Sequence, residues 1–302
     1  MPEPHPRGVF AGLATLDVIH RIDESPGRNE KVTAHAQFVA AGGPAANAAV
    51  TFAALGGEAI LLTVLGSGPI AEAVTAELAS VNVHVIDIAP DLVDTTPVSS
   101  VSVIASTGER SVVGGDAAAI IAPAPRPEEL ARVLADADVV LLDGHHPQLA
   151  IAVAAGASDA GVPSVLDAGR WKDVMPGVID QVTDVVASAD FRVPGASTSE
   201  ETAARLVSDG SPIVILTAGA EPVRWWSAGT YGEVPVPTVD AVDTLGAGDV
   251  FHGAYAYALA RGADIKQRIV FANEVAATRC ATVGPRSWLR TIARIPLDQG
   301  DR

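Results

Sequence analysis

The sequence predicts an α/β protein with a mostly parallel main sheet and helices on both faces. Three observations support this fold class. Short apolar runs alternate with helical patterns along much of the chain, as in successive βαβ units. Two blocks of alternating polarity, at about residues 18–41 and 96–115, interrupt this rhythm. A glycine-rich stretch, Gly246-Ala247-Gly248-Asp249, opens an apolar helix late in the chain.

Composition and charge limit the classes of function. The chain has 302 residues, of which 48% are hydrophobic and 19% charged, so it can fold around a sizeable core. The net charge of -16 argues against a nucleic-acid partner, because such a partner requires a basic face. An anionic small molecule is not excluded, because local amides, arginines or Mg2+ can reverse the field.

The sequence gives no signal for secretion or membrane insertion. Residues 1–7 lack the apolar core of a signal peptide, and no stretch offers the roughly 18 apolar residues of a membrane span. Cys280 is the single cysteine, so no internal disulfide can form. We therefore expect a cytoplasmic protein with no membrane partner, folded as one domain over residues 1–302.

The first element, residues 8–17, reads as a buried strand that ends at the carboxylate of Asp17. Open α/β sheets bind ligands beyond the carboxyl ends of their strands, so Asp17 is expected to accept hydrogen bonds from ligand hydroxyl groups. A strand-end aspartate that only caps the next turn is the alternative.

A second candidate region begins with Gly42 and Gly43, which open a helix that continues to residue 54. Glycines at a helix start allow a ligand to approach the backbone closely, and Asn47 can donate and accept hydrogen bonds at once. Close packing of an alanine-rich helix is the alternative.

Strands and helices then alternate. Strands are predicted at residues 59–65, 83–88, 139–142, 164–166, 184–187 and 213–217. Helices are predicted at residues 70–78, 127–135, 147–155, 171–181, 199–207, 250–261 and 269–282.

The glycine-rich stretch carries the clearest chemical signal. Val250, Phe251 and Ala254 follow it at helical spacing, so the glycines lie at a helix N-terminus, where backbone amides and the helix dipole bind phosphate. Asp249 is not a phosphate ligand, because the two anions would repel. It fits a base that takes a proton from a hydroxyl group attacking phosphorus. A plain glycine-rich turn with a capping aspartate is the alternative.

Two motifs carry a resemblance to a known family. Residues 243–254, Asp-Thr-Leu-Gly-Ala-Gly-Asp-Val-Phe-His-Gly-Ala, resemble the C-terminal signature of the ribokinase-like sugar kinases, the PfkB family. Residues 41–49, Ala-Gly-Gly-Pro-Ala-Ala-Asn-Ala-Ala, resemble its other signature. The resemblance is nearest to the ketohexokinase and fructokinase branch. It implies a ribokinase-like three-layer α/β sandwich with a small antiparallel β lid, and transfer of the γ-phosphoryl group of ATP to a small carbohydrate.

The resemblance also implies residue roles. Asp249 is the implied catalytic base, and the amides of Gly246, Ala247 and Gly248 would bind the γ-phosphoryl group. The implied sugar-binding residues are Asp17, Gly42, Gly43, Asn47 and Arg110. The implied ATP-binding residues are Thr217, Gly219, Thr244, Gly246, Gly248, Asn273 and Gly284. ATP and Mg2+ are the implied cofactors. A loop containing Asp243 would hold a monovalent cation such as K+, as in some relatives.

Two departures from the family pattern leave the substrate and the magnesium site open. The strand at residues 59–65 is followed by Gly-Ser-Gly-Pro, where the family usually has an acid. Phe191 stands where many members carry the acid of an Asn-x-x-Glu motif, unless Asp190 takes its place one position earlier.

The two interrupting blocks are predicted to pair as the lid sheet, with a hairpin turn at Thr107-Gly108. Half-apolar strands outside the main core have few ways to bury their second face. In the family this sheet covers the sugar and often forms a dimer surface, so we expect a homodimer joined through the lid.

Three rival functions remain open from the sequence. A nucleoside kinase of the same fold is the first, although Phe38 is the only aromatic residue in the predicted lid. A non-catalytic regulator that binds a sugar or nucleotide is the second, and the complete loop with Asp249 counts against it. A Rossmann dehydrogenase ranks last, because no Gly-x-Gly-x-x-Gly follows the first strand.

Overall fold

The computed structural model describes residues 5–115 and 120–297, and its strands form two sheets. The larger sheet has nine strands in the order β13-β12-β11-β10-β9-β8-β1-β4-β5. In chain order these are β1 (Arg7–Ala11), β4 (Glu58–Thr63), β5 (Val83–Asp87), β8 (Val139–Leu142), β9 (Ser164–Ala168), β10 (Asp184–Ser188), β11 (Ile213–Ala218), β12 (Glu221–Ser227) and β13 (Thr230–Val234).

Pairing in the larger sheet is parallel from β11 to β5, and β12 and β13 add an antiparallel edge. The parallel strands are short runs of buried apolar residues, because both of their faces are covered. On β1 the side chains alternate between the two faces. Phe10 joins one core cluster, and Val9 and Ala11 join the other.

Helices cover both faces, which confirms the predicted three-layer α/β fold. The helices are α1 (Pro44–Ala54), α2 (Pro69–Ser80), α3 (Pro127–Leu134), α4 (Pro147–Ala160), α5 (Met175–Ile179), α6 (Ser199–Ser208), α7 (Ala247–Ala260), α8 (Ile265–Cys280) and α9 (Leu289–Ile292). Helices α1, α2, α7, α8 and α9 contribute to one core cluster, and α3 to α6 contribute to the other. None of the helices within the described ranges is long and apolar enough to cross a lipid bilayer.

The smaller sheet confirms the predicted lid. It has the order β3-β2-β6-β7 and consists of β2 (Thr15–Ile22), β3 (Ala36–Gly42), β6 (Val98–Ile104) and β7 (Arg110–Gly114). Its two outer pairs are antiparallel, whereas β2 and β6 pair in parallel. We refer to these four strands as the lid sheet.

The register of the lid sheet separates an inner face from an outer face. Ile19 pairs with Phe38 and Val101, and these side chains pack against Leu245 of the glycine-rich loop. The neighbouring Val18 points to the opposite side of the sheet. The inner face therefore covers the loop that begins α7.

Two boundary predictions were wrong. The first strand ends at Ala11 and does not reach Asp17, which lies on β2 of the lid sheet. The strand β1 ends just before Gly12, which has φ +154°. A Cβ atom on Gly12 would lie 2.0 Å from Oδ1 of Asp143, so the carboxylate of Asp143 occupies the space that a side chain would need there. The helix predicted at residues 171–181 is also shorter and corresponds to α5.

Candidate active site

We call residues 243–249 the anion loop. They comprise the segment before α7 and the first residues of that helix, which begins at Ala247. Gly246 is the N-cap of this helix and has φ +71°, a left-handed conformation that glycine adopts without strain. Among the described residues, the amides of Gly246 and Gly248 have no protein acceptor, whereas Ala247 N donates to Thr244 O at 3.3 Å. Two of the three predicted amides are thus free to bind an anion, and the helix dipole favours this.

Asp249 lies in the first turn of α7, where it contacts the start of α1. The Nδ2 group of Asn47 donates to Oδ2 of Asp249 at 2.8 Å. Burial raises the pKa of Asp249 to about 7, with a further contribution from the negative charge of Asp167. The Asn47 hydrogen bond and the positive charges of His252 and Arg110 oppose this rise in pKa. The carboxyl group therefore has the proton affinity that suits a base near neutral pH.

A buried polar cluster lies behind Asp249. Nδ1 of His252, one helical turn further along α7, is 3.3 Å from Oδ2 of Asp167 at the end of β9. Asp143, just after β8, accepts the amides of Leu13 at 2.9 Å and Ala45 at 3.1 Å. Asp143 thus fixes the first turn of α1, and Asp167 adds negative charge near the base. Each residue directly follows a predicted strand, and this position is the signal that could have identified both in the sequence.

Asp17 faces the same side of the lid sheet as Ile19, although it lies on β2 and not at the end of β1. Its carboxylate accepts a hydrogen bond from the Thr15 hydroxyl at 2.7 Å. Burial raises its pKa, while hydrogen bonds from Thr15 and Ser99 and the charge of Arg286 lower it. Asp17 is thus a buried acceptor beside the anion loop.

Gly42 and Gly43 are required by packing inside the protein. A Cβ atom on Gly42 would lie 2.0 Å from Oδ2 of Asp17, and one on Gly43 would lie 2.3 Å from the carbonyl oxygen of Leu13. Gly43 also has φ +95°. The alternative of close packing therefore accounts for both glycines, and their contact with a sugar stays a prediction.

One pocket joins these parts of the chain. It lies between the lid sheet, the start of α1, the anion loop and the segment that follows α8. It is lined by Asp17, Ile19, Ala41, Asn47, Leu245, Gly246, Val250, Arg279, Pro285, Arg286 and Trp288. The structure thus brings Asp17 and Asn47 together with Gly246, which lies about two hundred residues further along the chain.

The sequence reasoning missed Arg286, which lines this pocket. Its Nε donates to Glu77 Oε1 at 2.8 Å, and its Nη2 donates to the carbonyl oxygen of Ala41 at 2.7 Å. Arg286 thereby connects the C-terminal segment to β3 and α2. Two arginines lie close in the sequence there, but nothing in the pattern shows which of them would face a pocket.

The lid hairpin is bonded to the anion loop. The carbonyl oxygen of Gly108 accepts hydrogen bonds from Thr244 N at 3.1 Å and Thr244 Oγ1 at 2.7 Å. Nη1 of Arg110 donates to Thr244 Oγ1 at 3.3 Å, and Nη1 of Arg21 donates to Val242 O at 2.7 Å. Arg110 therefore reaches from the lid sheet to the anion loop.

The residues predicted to bind ATP occupy several places. Thr217 and Gly219 lie at the C-terminal end of β11, where Gly219 has φ +62° and open space beside its Cα. Asn273 is buried on α8, and its Nδ2 donates to Pro235 O at 3.2 Å. Gly284 N donates to Asp243 Oδ2 at 3.0 Å. The amide groups of Asn273 and Gly284 thus have protein acceptors, and the contacts of these residues with ATP stay predictions.

Asp243, the residue implied for a cation loop, is paired with an arginine. Its Oδ1 accepts hydrogen bonds from Nη2 of Arg279 at 2.9 Å and from Leu245 N at 3.1 Å. Both side chains are almost fully buried, with exposed fractions of 3% for Arg279 and 5% for Asp243. A guanidinium group is therefore bonded to the carboxylate that the resemblance implied for the cation loop, and a cation held by this loop stays a prediction.

No group of three or more His, Cys, Asp or Glu side chains within the described residues could hold a metal ion. Phe191, at the place of the family's acidic residue, is fully buried and packs against Trp171. A magnesium ion at this site would therefore take most of its ligands from nucleotide phosphates and water, which Mg2+ commonly does.

Known proteins resemble this chain over nearly its whole length. The model of the pfkB family carbohydrate kinases matches residues 8–292. The ribokinase of Bacillus subtilis (strain 168) is 27% identical over 287 residues, covering 93% of this chain and 94% of the relative. The ATP-dependent ribose-1-phosphate kinase of Halopiger xanaduensis is 29% identical over 285 residues, again covering 93% and 94%.

Solved structures share the fold. A protein from Agrobacterium tumefaciens, provisionally assigned as a ribokinase, superimposes with a TM-score of 0.83 at 25% identity, covering 95% of this chain and 94% of the other. The Arabidopsis thaliana ribokinase complexed with ribose and ATP superimposes with a TM-score of 0.73 at 20% identity, covering 97% and 100%.

Proposed function

Because the chain belongs to the pfkB family of carbohydrate kinases, we propose that it transfers the γ-phosphoryl group of ATP to a pentose-sized sugar bound between Asp17 and Asp249. One observation carries this proposal. Asn47 and Gly246 lie in the wall of the pocket that also contains Asp17, and the Nδ2 group of Asn47 donates to Asp249 at 2.8 Å, next to the free amides of the anion loop. Phosphoryl transfer to a sugar requires a base, a site that binds the anionic phosphoryl group, and a side chain that accepts hydrogen bonds from the sugar hydroxyls.

In the proposed mechanism, Asp249 takes the proton of the attacking sugar hydroxyl. The amides of Gly246 and Gly248 stabilise the negative charge that develops on the transferred group. Asp17 accepts hydrogen bonds from other sugar hydroxyls and fixes the sugar in the pocket. When bound, Mg2+ supplies charge neutralisation on the phosphate oxygens.

The two curated relatives direct the choice of sugar. Both are named for ribose or its 1-phosphate and span nearly the whole chain. We therefore place ribose and ribose 1-phosphate before the ketoses that the resemblance to the ketohexokinase branch implied. ATP as the donor also agrees with the cytoplasmic location expected from the sequence.

The proposal is tested by measuring ADP release with ribose, deoxyribose, fructose, ribose 1-phosphate and adenosine. We expect a pentose to give the highest kcat/KM, and Asp249→Asn to abolish that activity while ATP binding persists. Turnover confined to adenosine would identify a nucleoside kinase. Binding of a sugar without ADP release would identify a regulator. Either result contradicts the proposal.

The outer face of the lid sheet supports a proposal about assembly. Val39, Val98 and Val113 are exposed by 58%, 43% and 74%. The register places them on one face with Val18 and Leu16. An apolar sheet surface of this kind is a common site of association. We propose that a second copy of the chain covers it, as the sequence predicted.

A further inference from the structure

The guanidinium group of Arg279 lies among oxygen atoms beside the anion loop. Its Nη1 donates to the backbone oxygens of Thr282 at 2.9 Å and Asp243 at 3.2 Å, and its Nη2 donates to Oδ1 of Asp243 at 2.9 Å. One carboxylate and two carbonyl groups thus surround a single positive charge. Oxygen donors of this kind are what alkali and alkaline-earth cations take as ligands.

This cluster connects the two segments that frame the anion loop. The carboxylate of Asp243 also accepts the amides of Leu245 at 3.1 Å and Gly284 at 3.0 Å. Leu245 precedes the N-cap of α7, whereas Gly284 follows the end of α8. The charge of Arg279 therefore holds together the loop on which the two free amides depend.

A free monovalent cation does not fit beside this arrangement. Arg279 neutralises Asp243, and Arg110 and Arg21 add further positive charge through their bonds to Thr244 and Val242. A K+ ion bound at the same oxygens would face a buried guanidinium group with no remaining carboxylate to compensate it. The cation that the family resemblance implied is therefore replaced by a side chain of the protein.

We propose that Arg279 is a built-in substitute for the monovalent cation, so that the anion loop is ordered and the enzyme is active without K+. Arg279 acts here as a positioning residue, since its hydrogen bonds go to Asp243 and Thr282 and hold the loop. The activity part of this inference rests on the proposed function, whereas the binding part does not.

The first experiment uses the unmodified protein. Its melting temperature and its kcat/KM are measured in K+, Na+ and tetramethylammonium chloride at one ionic strength of about 0.1 M. We expect the three salts to give the same melting temperature and equal activity. A saturable rise in melting temperature specific to K+, or an activation by K+ of about fivefold or more, the lower range of ordinary coupling, would overturn the proposal.

The second experiment creates the missing cation site. Arg279→Ala leaves Asp243 and the two carbonyl groups without a positive charge, so we expect a lower melting temperature and lower kcat. Both should be restored in part by K+ or by guanidinium ion at non-denaturing concentration, but not by tetramethylammonium, which is too large. Arg279→Lys keeps the charge and is expected to stay independent of K+.

A matched control separates this role from simple packing. Arg268 forms another ion pair with an almost fully buried carboxylate, 3.2 Å from Asp184, and its hydrogen bonds go to Asp184, Ala263 and Tyr255 and not to the anion loop. Arg268→Ala should also lower the melting temperature, but small cations should not restore it. Equal rescue of both variants, or no rescue of Arg279→Ala by any cation, contradicts the proposal. If Arg279→Ala fails to fold, the salt comparison on the unmodified protein still decides. The melting temperature can be measured without turnover. A protein that is inactive but melts at the same temperature in the three salts therefore contradicts the kinase assignment and leaves the proposed role of Arg279 intact.

Discussion

At the scale of single residues, the proton affinity of Asp249 has a measurable consequence. Its pKa is raised to about 7, so the carboxyl group is protonated and unable to act as a base at lower pH. We expect kcat/KM to increase as pH rises through about 7 and then to level off. The same shift favours the folded protein while Asp249 is neutral, and this contribution to stability is lost as pH rises from about 4, the usual pKa of aspartate, to 7.

The neighbours of Asp249 allow this assignment to be checked. They are Asn47 on α1, Asp167 on β9, His252 on α7 and Arg110 on β7. Asp167→Asn removes a negative charge and should shift the activity rise to lower pH. Asn47→Ala removes a hydrogen bond to the ionised form and should shift it to higher pH. If neither variant moves the profile, another group controls it.

The catalytic role of Asp249 itself is tested by Asp249→Asn, which keeps the shape of the side chain. A positioned base contributes about 100-fold or more to turnover, so kcat should fall by at least that factor. ATP affinity, measured by calorimetry, should stay nearly unchanged because the amides of Gly246 and Gly248 remain. Near-normal turnover would remove Asp249 from the mechanism.

Asp17 provides a test of where the sugar binds. A buried carboxylate that accepts hydrogen bonds from two hydroxyl groups contributes about 1.5–3 kcal/mol for each bond. Asp17→Ala should therefore raise the KM for the sugar by at least about tenfold and leave the KM for ATP almost unchanged. Thr15→Val, which removes only the hydroxyl that donates to Asp17, is the milder control. A change in ATP affinity alone would place the sugar elsewhere.

At this scale the sequence predicts the chemical character of the site better than it predicts which residues contact each other. The free amides and the acid of the anion loop follow from glycine spacing at a helix start, which is local information. The pairing of Asp243 with Arg279, the Asn47–Asp249 bond and the role of Arg286 join segments that are distant in sequence. Nothing in the local pattern of one sequence specifies such partners, so these contacts required the structure.

At the scale of elements, the site depends on the close approach of α1 and α7. A Cβ atom on Gly253 of α7 would lie 2.4 Å from the carbonyl oxygen of Ala48 on α1. The two helices carry Asn47 and Asp249, so their separation sets the hydrogen bond between these residues. The sequence shows a glycine within a predicted helix, but it does not show which residue of another helix packs against that glycine.

Gly253→Ala should therefore cost both stability and activity. Overpacking of this kind costs about 1–3 kcal/mol, and the separation of the helices should also weaken the Asn47–Asp249 bond. Denaturant unfolding and kcat measure the two effects. Gly177→Ala on α5 is the control, because a Cβ atom there meets no other atom within 4 Å. Equal stability of the two variants would contradict this account of the helix contact.

The strand boundaries show where local reading of elements fails. Residues 8–17 look like one apolar strand, yet the chain divides them between β1 of the main sheet and β2 of the lid sheet. The division occurs at Gly12, which must approach the carboxylate of Asp143, a residue 131 positions away. By contrast, the existence of α7 and α8 was predicted correctly, because apolar spacing is local information, although α8 begins at Ile265, four residues before its predicted start.

At the scale of the whole molecule, the two faces of the lid sheet have different surroundings. The inner face contains Asp17 and Ile19 and closes on the anion loop, whereas the outer face presents Val39, Val98 and Val113 to solvent. Association of two chains through the outer face would hold the lid sheet on the side opposite the anion loop. The sequence predicted both faces from alternating polarity, because the two-residue period of a strand fixes which side chains share a side.

We expect the protein to have twice the mass of the 30.8 kDa chain in light scattering at micromolar concentration. The double variant Val39→Asp, Val113→Asp places two negative charges on the outer face of the lid sheet, and like charges brought together across an interface repel. It should therefore be monomeric while remaining folded.

Ile151→Asp on α4 is the matched control, since Ile151 is also exposed but lies outside the lid sheet. A monomeric unmodified protein, or dissociation by the control variant instead, would exclude the lid sheet as the dimer surface. If the double variant is monomeric with a raised KM for the sugar and an unchanged KM for ATP, pairing of the lids contributes to closing the sugar pocket.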